Sequence, residues 1–193
     1  MQRIVKGFVL GEYIVSRSKI ILPEWINCST WKTPRWKAAI SRGTLSKPVQ
    51  LARMRSLIHL DSEVLDIGCG KGDDVERLNS LGRIQARGFD PYYFPDTSVL
   101  YPAEIVCLIY VLNVIEDPEE RAEVLRFAWS LTNRALIVAV RSRQTLDVPE
   151  VVTRIGTFQK FYTRPEWHEW MHSVLGDVTT VHLDQTIAFI YKA

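Results

Sequence analysis

The sequence predicts an α/β fold, an open and mostly parallel sheet with an antiparallel edge pair at its carboxyl-terminal end, preceded by a basic N-terminal extension. Three observations support this prediction. From Ser62 onward, short apolar runs alternate with segments of helical periodicity. A glycine-rich stretch at residues 68–72 directly follows one of the apolar runs. Two strand-like runs at residues 178–183 and 187–191 form the predicted edge pair.

The individual elements follow one another in the order of a Rossmann-like sheet. We expect strands at residues 64–67, 86–89, 105–111 and 135–140, before the terminal pair. We expect helices at residues 48–59, 73–81, 118–131 and 165–175. Asp73 or Asp74 is expected to cap the second helix. Residues 141–163 are expected to be loop-like.

Charge is distributed unevenly along the 193 residues. We expect two parts, a basic, Trp-containing extension (1–46) and an α/β domain (47–193). Residues 1–60 contain eleven Lys and Arg against two acids, a net +9, so the remaining residues carry −7 of the total +2. The basic segment either binds an anionic partner, with nucleic acid as the leading candidate, or packs against the acidic body of its own chain. A hairpin or arm at residues 8–15 and a homodimer formed through the extension are further expectations.

The sequence also bears on compartment and metal content. No apolar run approaches the ~20 residues that a membrane helix needs, so no membrane partner is expected. The first ten residues do not resemble a targeting segment. The three cysteines have no regular spacing, which argues against a disulfide framework and against a zinc site. A cytoplasmic protein without a bound metal is therefore expected.

The glycine stretch indicates a particular cofactor. Its spacing, Gly68-x-Gly70-x-Gly72, differs from the dinucleotide-binding motif, and an acid, Asp66, precedes it. An acid there suits the cationic aminopropyl-sulfonium group of S-adenosyl-L-methionine, and Asp90, at the end of the next strand, suits its ribose hydroxyls. Because the carboxyl ends of parallel strands meet at one edge, we expect cofactor contacts from Asp66, Gly68, Cys69, Gly70, Asp90, Pro91, Tyr110, Val111 and Leu112.

These segments resemble known enzymes. Residues 64–70, 88–90 and 110–118 are similar to class I S-adenosylmethionine-dependent methyltransferases. A closer resemblance, to the methyltransferases associated with bacterial DNA phosphorothioation systems, covers residues 33–193. It rests on four motifs, KAAISRGTLSKPV (37–49), GCGKGDD (68–74), YVLNVIEDP (110–118) and GTFQKFYT (156–163). The resemblance implies methyl transfer from S-adenosylmethionine and a link to DNA modification.

The chain differs from the class I methyltransferases in one interval. Only fourteen residues, three of them proline, separate Asp90 from Ile105. Class I methyltransferases usually place a helix, a strand and an acidic adenine-binding turn in this interval. The third strand is therefore expected to be shortened or missing, and Phe89, Tyr92 or Tyr110 is expected to contact adenine in place of the usual turn.

The methyl acceptor is less well specified. Asn113 is the candidate catalytic residue because it follows a predicted strand at the cofactor edge, although a turn role is the alternative. The motifs of enzymes that methylate exocyclic amino groups or cytosine C5 of DNA are absent. We expect substrate contacts from Trp36, Arg42, Lys47, Lys160 and Tyr162.

Aromatic and basic residues interleave around Trp31 and Trp36, a pattern that suits stacking on bases beside phosphates. The alternative is that the tryptophans cover the sheet edge or a dimer partner. The leading functional hypothesis is a methyltransferase that acts on nucleic acid. The competing hypotheses are a small-molecule or protein methyltransferase and a non-catalytic cofactor-binding accessory protein.

Overall fold

A six-stranded sheet forms the centre of the computed structural model, which describes residues 21–143 and 147–192. The strands are β1 (Glu63–Ile67), β2 (Gln85–Phe89), β3 (Ala103–Ile109), β4 (Thr132–Ala139), β5 (Glu150–Val152), β6 (Phe158–Lys160), β7 (Thr179–His182) and β8 (Ile187–Tyr191). The helices are α1 (Lys47–Met54), α2 (Asp73–Ser80), α3 (Pro118–Ser130) and α4 (Arg164–Leu175). The arm predicted at residues 8–15 lies outside the described residues.

The strand order confirms the predicted fold class. The sheet runs β2-β1-β3-β4-β8-β7, with the first four strands parallel and the last two antiparallel to their neighbours. Between Asp90 and Ala103, all of which the structure describes, the chain forms one bridge to Phe94 and a 3-10 turn at Thr97–Val99. The third strand, which the sequence predicted to be shortened or missing, is therefore missing, and β2 lies at the edge of the sheet.

Two apolar layers cover the two faces of the sheet. One layer joins β1 and β3 to α3 and α4 and includes Phe127 and Trp167. The other layer includes Val49 and Ala52 of α1 and Leu78 of α2. The predicted continuation of α1 to residue 59 is wrong, because Ser56 has a positive φ of 56° that ends the helix.

The residues between β4 and α4 depart from the predicted loop. β5 and β6 pair antiparallel as a separate two-stranded sheet. Gly156, with φ of 84°, lies in the turn that joins them, and the hydroxyls of Thr153 and Thr157 lie 2.7 Å apart across it. Strands of three residues are too short to produce a recognisable alternation, which is why the sequence pattern indicated a loop.

Two acids at the start of α2 do not cap it. The N-cap is Gly72, in the left-handed conformation and without a side-chain cap. The predicted capping by Asp73 or Asp74 is therefore wrong. Both carboxylates instead accept hydrogen bonds from backbone amides of the extension, Asp73 from Arg42 and Asp74 from Ser46, each at 2.7 Å.

Candidate cofactor site

The loop between β1 and α2 needs glycine at each of its alternate positions. Gly68, Gly70 and Gly72 have φ values of 73°, 55° and 80°, in the region that residues with a side chain rarely adopt. A Cβ on Gly68 would lie 2.3 Å from Cγ2 of Val111. The loop therefore holds its backbone close to the end of β3, where a bound ligand meets main chain.

A cluster of carboxylates lies beneath this loop. Asp66, in β1, is 7% exposed. Burial raises the pKa of its carboxyl well above the usual range, the negative charges of Asp74 and Asp90 raise it further, and Arg42 opposes them. Asp90 accepts a hydrogen bond from the amide of Gly70 at 3.1 Å. The cluster makes a local negative potential that a cationic ligand would relieve.

These groups line a cavity of about 130 Å³ at the carboxyl ends of β1, β2 and β3. Most of the predicted cofactor contacts lie on its wall: Asp66, Gly68, Cys69, Gly70, Asp90, Pro91, Tyr110 and Val111. Leu112 is the exception, since its side chain is fully buried in the core. The sequence located this edge of the site because the residues after parallel strands converge there.

Cys69 packs inside the loop. Its Sγ would lie 2.8 Å from a Cβ on Gly88, so the loop packs closely on β2 only because Gly88 has no side chain. Burial raises the pKa of the Cys69 thiol, and the charges of Asp66 and Asp90 raise it further. A neutral thiol in this position fills space and is not an activated nucleophile.

The N-terminal extension forms the opposite wall of the cavity. Ala38, Ala39, Ile40 and Arg42 line it together with Trp36, and a Cβ on Gly70 would lie 3.1 Å from the Cβ of Ala39. Trp36 stacks on Tyr92, with centroids 4.9 Å apart and an interplanar angle of 11°. The extension therefore lies directly on the glycine loop.

Part of the basic charge of residues 1–60 is neutralised within the chain. Arg35 is buried and pairs with Glu116 at 2.9 Å and, in a second ion pair, with Glu120. Lys47 pairs with Asp184 at 2.6 Å. Of the two interpretations of the charge asymmetry, packing against the acidic body accounts for these two residues.

Sequence reasoning missed several wall residues. Trp25, Trp31, Val114, Ile115 and Val124 also line the cavity. Trp25 packs edge-on against Phe127, with centroids 5.4 Å apart. The tryptophans were expected to stack on bases or to cover the sheet edge, and only the folded chain shows that Trp25 and Trp31 reach the cavity.

The predicted acceptor-side residues lie apart from the cavity, with the exceptions of Trp36 and Arg42. Asn113 is 1% exposed, and its Nδ2 donates to Oε1 of Gln159 at 3.0 Å. Lys160 pairs with Glu166 at 2.9 Å. Tyr162 is buried in the core, and burial raises its pKa to about 12. The catalytic role of Asn113 and the substrate roles of Lys47, Lys160 and Tyr162 stay predictions.

The described residues show neither a metal-binding cluster nor a membrane-spanning helix. Among residues 21–143 and 147–192, no group of three or more His, Cys, Asp or Glu side chains is arranged to hold a metal ion. In the same part of the chain, no helix has the length and apolar character needed to cross a bilayer.

No protein family and no curated protein matches the sequence. Solved structures share the fold. A 1,6-didemethyltoxoflavin-N1-methyltransferase from Burkholderia thailandensis, crystallised with 1,6-didemethyltoxoflavin and S-adenosylhomocysteine, has a TM-score of 0.55 at 13% identity, over 83% of this chain and 79% of that chain.

Two further structures concern RNA. The small RNA methyltransferase HEN1 has a TM-score of 0.54 at 15% identity, over 80% of this chain and 26% of that chain. The Pnkp1/Rnl/Hen1 RNA repair complex has a TM-score of 0.53 at 12% identity, over 79% of this chain and 43% of that chain. This chain thus spans less than half of either RNA-related chain. The protein has the fold of the class I S-adenosylmethionine-dependent methyltransferases.

Proposed function

We propose that this protein is an S-adenosylmethionine-dependent methyltransferase whose acceptor is nucleic acid. The single observation that carries the cofactor assignment is Asp66, a buried carboxyl beneath a loop of positive-φ glycines, with its pKa raised by burial and by Asp74 and Asp90. Such a site favours a ligand that brings positive charge. S-adenosylmethionine carries two positive charges, on its sulfonium and its amino group.

The site residues fit the parts of this cofactor. Asp66 and the loop amides suit the amino acid portion, and Asp90 suits the ribose hydroxyls. Asp90 already accepts hydrogen bonds from the amides of Gly70, Tyr92 and Tyr93. A carboxylate has about four acceptor sites, so capacity for a hydroxyl remains.

When bound, S-adenosylmethionine would supply an electrophilic methyl group for transfer to a nucleophilic atom of the acceptor. The chain's own task is to hold the acceptor in line with that methyl group, and alignment alone accounts for much of such a rate enhancement. Asn113 lies outside the cavity lining, and its contact to the acceptor stays a prediction from the sequence; its Oδ1 is buried without a partner among the described residues and is available to accept a hydrogen bond.

Exposed cations beside aromatic rings support nucleic acid as the acceptor. Arg141 lies over the ring of Tyr110 at 5.4 Å, and Arg143 lies over Phe161 at 3.7 Å. Both arginines are exposed and follow β4, next to the end of β3 that lines the cavity. Paired aromatic and cationic groups stack on bases while contacting phosphates. The sequence resemblance to the phosphorothioation-associated family makes DNA the first acceptor to test.

A binding and labelling experiment tests the proposal. Isothermal titration should detect S-adenosylmethionine, and no binding at millimolar concentration would overturn the cofactor assignment. With methyl-labelled cofactor and cellular fractions, label should appear in nucleic acid. Label confined to protein or small molecules would overturn the acceptor assignment, and binding without label in any fraction would overturn catalysis.

A gel-shift series over salt concentration tests the arginines. Arg141→Ser/Arg143→Ser should weaken binding to single-stranded DNA and reduce its salt dependence. The matched control is Arg83→Ser, because Arg83 is an exposed arginine that pairs with Asp61 before β1, away from the cavity. Equal effects of the two changes would contradict a specific role for Arg141 and Arg143.

A further inference from the structure

The lining of the cavity combines two kinds of residue. The carboxylates of Asp66, Asp74 and Asp90 lie close enough to raise one another's charge repulsion. The apolar and aromatic part of the lining consists of Trp25, Trp31, Val114, Ile115 and Val124, with the Arg35–Glu120 ion pair beside it. A ligand with a cationic chain at one end and a flat heterocycle at the other matches this division.

The extension supplies the aromatic part of the lining. The sheet stops at β2, and the described residues from Asp90 to Ala103 add no strand beyond it. Trp36 of the extension stacks on Tyr92 in this interval, and Trp25 packs edge-on against Phe127 of α3. Residues far from the glycine loop in sequence therefore form the wall beside it.

Trp31 is held firmly in this wall. Its Nε1 donates to the carbonyl of Trp25 at 3.4 Å, and the guanidinium carbon of Arg35 lies 5.1 Å from the centroid of its ring. Arg35 is itself fixed by its ion pairs with Glu116 and Glu120. Glu116 also accepts hydrogen bonds from the amide of Lys32 and the hydroxyl of Thr33, which lie between Trp31 and Arg35 in sequence.

Two of the aromatic residues that the sequence suggested for adenine are engaged elsewhere. Phe89 is 0% exposed and lies within the core. Tyr92 is already stacked on Trp36. Tyr110 does line the cavity, but Arg141 lies over its ring, and Arg141 follows β4, on the opposite flank of β3 from β1 and β2.

We propose that Trp31 forms the aromatic wall of the adenine subsite and that Arg35 is the residue that positions it. This inference rests on the proposed cofactor. The N-terminal extension is then a structural part of the cofactor site, in the place where the sheet lacks a strand.

The extension is anchored on both sides of the stretch that lies on the glycine loop. Arg35 pairs with Glu116, and the amide of Arg42 donates to Asp73. Residues 36–41 lie between these anchors, and Trp31 is fixed separately by Arg35 and by the carbonyl of Trp25.

Isothermal titration of S-adenosylhomocysteine with three variants tests this assignment. Trp31→Ala should weaken binding about tenfold or more, as removal of a base-stacking aromatic side chain does. Trp31→Phe, which retains an aromatic face, should stay within about threefold of the wild type. Trp129→Ala is the matched control, because Trp129 contacts Lys192 outside this cavity, and it should leave affinity unchanged.

A ligand without adenine separates stacking from general damage. S-ribosylhomocysteine should bind the wild type and Trp31→Ala equally, whereas a structural defect would weaken both ligands. If Trp31→Ala does not fold, intrinsic fluorescence decides: adenine should quench the wild type, and Trp31→Phe should lose that quenching. Unchanged affinity in Trp31→Ala, or unchanged quenching in Trp31→Phe, overturns this inference alone. Failure of the wild type to bind S-adenosylhomocysteine overturns the proposed function.

Discussion

The side-chain nitrogen Nδ2 of Asn113 donates to Oε1 of Gln159 at 3.0 Å, while Oδ1 of Asn113 has no hydrogen-bond partner among the described residues. Asn113 lies in a 3-10 turn directly after β3, and Gln159 lies in β6. The short β5–β6 sheet is therefore joined to the end of the central sheet by a buried polar pair. A buried acceptor atom without a donor is costly, and an incoming N–H or O–H group would satisfy it.

Changes at this pair should separate stability from activity. Gln159→Leu should lower the free energy of unfolding by about 1–3 kcal/mol, because the buried Nδ2 of Asn113 loses its acceptor. Asn113→Leu/Gln159→Leu should recover much of that loss, since two apolar groups of similar shape leave no orphaned polar atom. Urea denaturation measures both. The double variant should still bind S-adenosylhomocysteine but lose methyl transfer; retained transfer would contradict a catalytic role for Asn113.

The glycines of the loop should differ in their tolerance of a side chain. Gly70→Ala should cost about 1–2 kcal/mol of stability, the usual penalty for the left-handed conformation. Gly68→Ala carries the same penalty plus about 1–3 kcal/mol of overpacking, because its Cβ would lie 2.3 Å from Val111. Thermal and urea unfolding of both variants test whether Gly68→Ala is the more destabilising. Val111→Ala in the Gly68→Ala background should bring its free energy of unfolding closer to that of Gly70→Ala. An unchanged difference would show that the clash is relieved in another way.

Cofactor binding should depend on the ionisation of Asp66. The pKa of this carboxyl is raised by burial and by Asp74 and Asp90, so the empty site favours the protonated form. A cationic ligand favours the carboxylate, so affinity for S-adenosylmethionine should rise with pH through the raised pKa and binding should release a proton. Titrations in buffers of different ionisation enthalpy measure that release. S-adenosylhomocysteine, which retains the amino group that Asp66 is proposed to meet, should show the same trend.

The Asp66→Asn variant should be more stable than the wild type but bind the cofactor more weakly. Because the raised pKa means that the unfolded state ionises first, Asp66 lowers stability as the pH rises from about 4 toward its folded-state pKa. Asp66→Asn should therefore stabilise the empty protein by about 1–3 kcal/mol at pH 7. Its affinity for S-adenosylmethionine should fall and lose its pH dependence. A variant that is destabilised while binding the cofactor normally would contradict the electrostatic role.

Removal of the Asp184 side chain should destabilise the protein more than removal of the Lys47 side chain. Asp184 accepts hydrogen bonds from the amides of Thr186 and Ile187 as well as from Lys47. Burial opposes them, yet these bonds lower its pKa to about 2, so its contribution to stability is present above pH 4 and is lost as the pH falls toward 2. Asp184→Ala should cost about 1–2 kcal/mol, as the loss of a side chain that caps backbone amides does.

Lys47→Ala should leave the unfolding midpoint nearly unchanged, because the lysine is largely exposed. The same variant tests the predicted substrate contact. A raised KM for the acceptor with unchanged affinity for S-adenosylhomocysteine would support that contact, and unchanged kinetics would exclude it. Urea denaturation at pH 3 and pH 7 of both variants gives the stability comparison.

The sequence by itself determined the α/β class, the glycine loop and the acids at the ends of β1 and β2. These features are local: apolar runs specify buried strands, positive φ requires glycine, and parallel strands end at one edge. The interval after Asp90 can also be interpreted from the sequence alone, because fourteen residues with three prolines leave no room for a helix and a strand. Its prediction of a missing strand is confirmed.

Only the tertiary structure decided which distant segments complete the site. Trp31 and Asp66 are far apart in sequence, and no periodicity relates them, yet they line one cavity. The choice depends on long-range ion pairs such as Arg35–Glu116 and on backbone contacts such as Arg42–Asp73, which exist only once the chain is compact. The surroundings of Lys160 and Tyr162 are likewise visible only in the folded chain, where Lys160 pairs with Glu166 and Tyr162 is buried in the core.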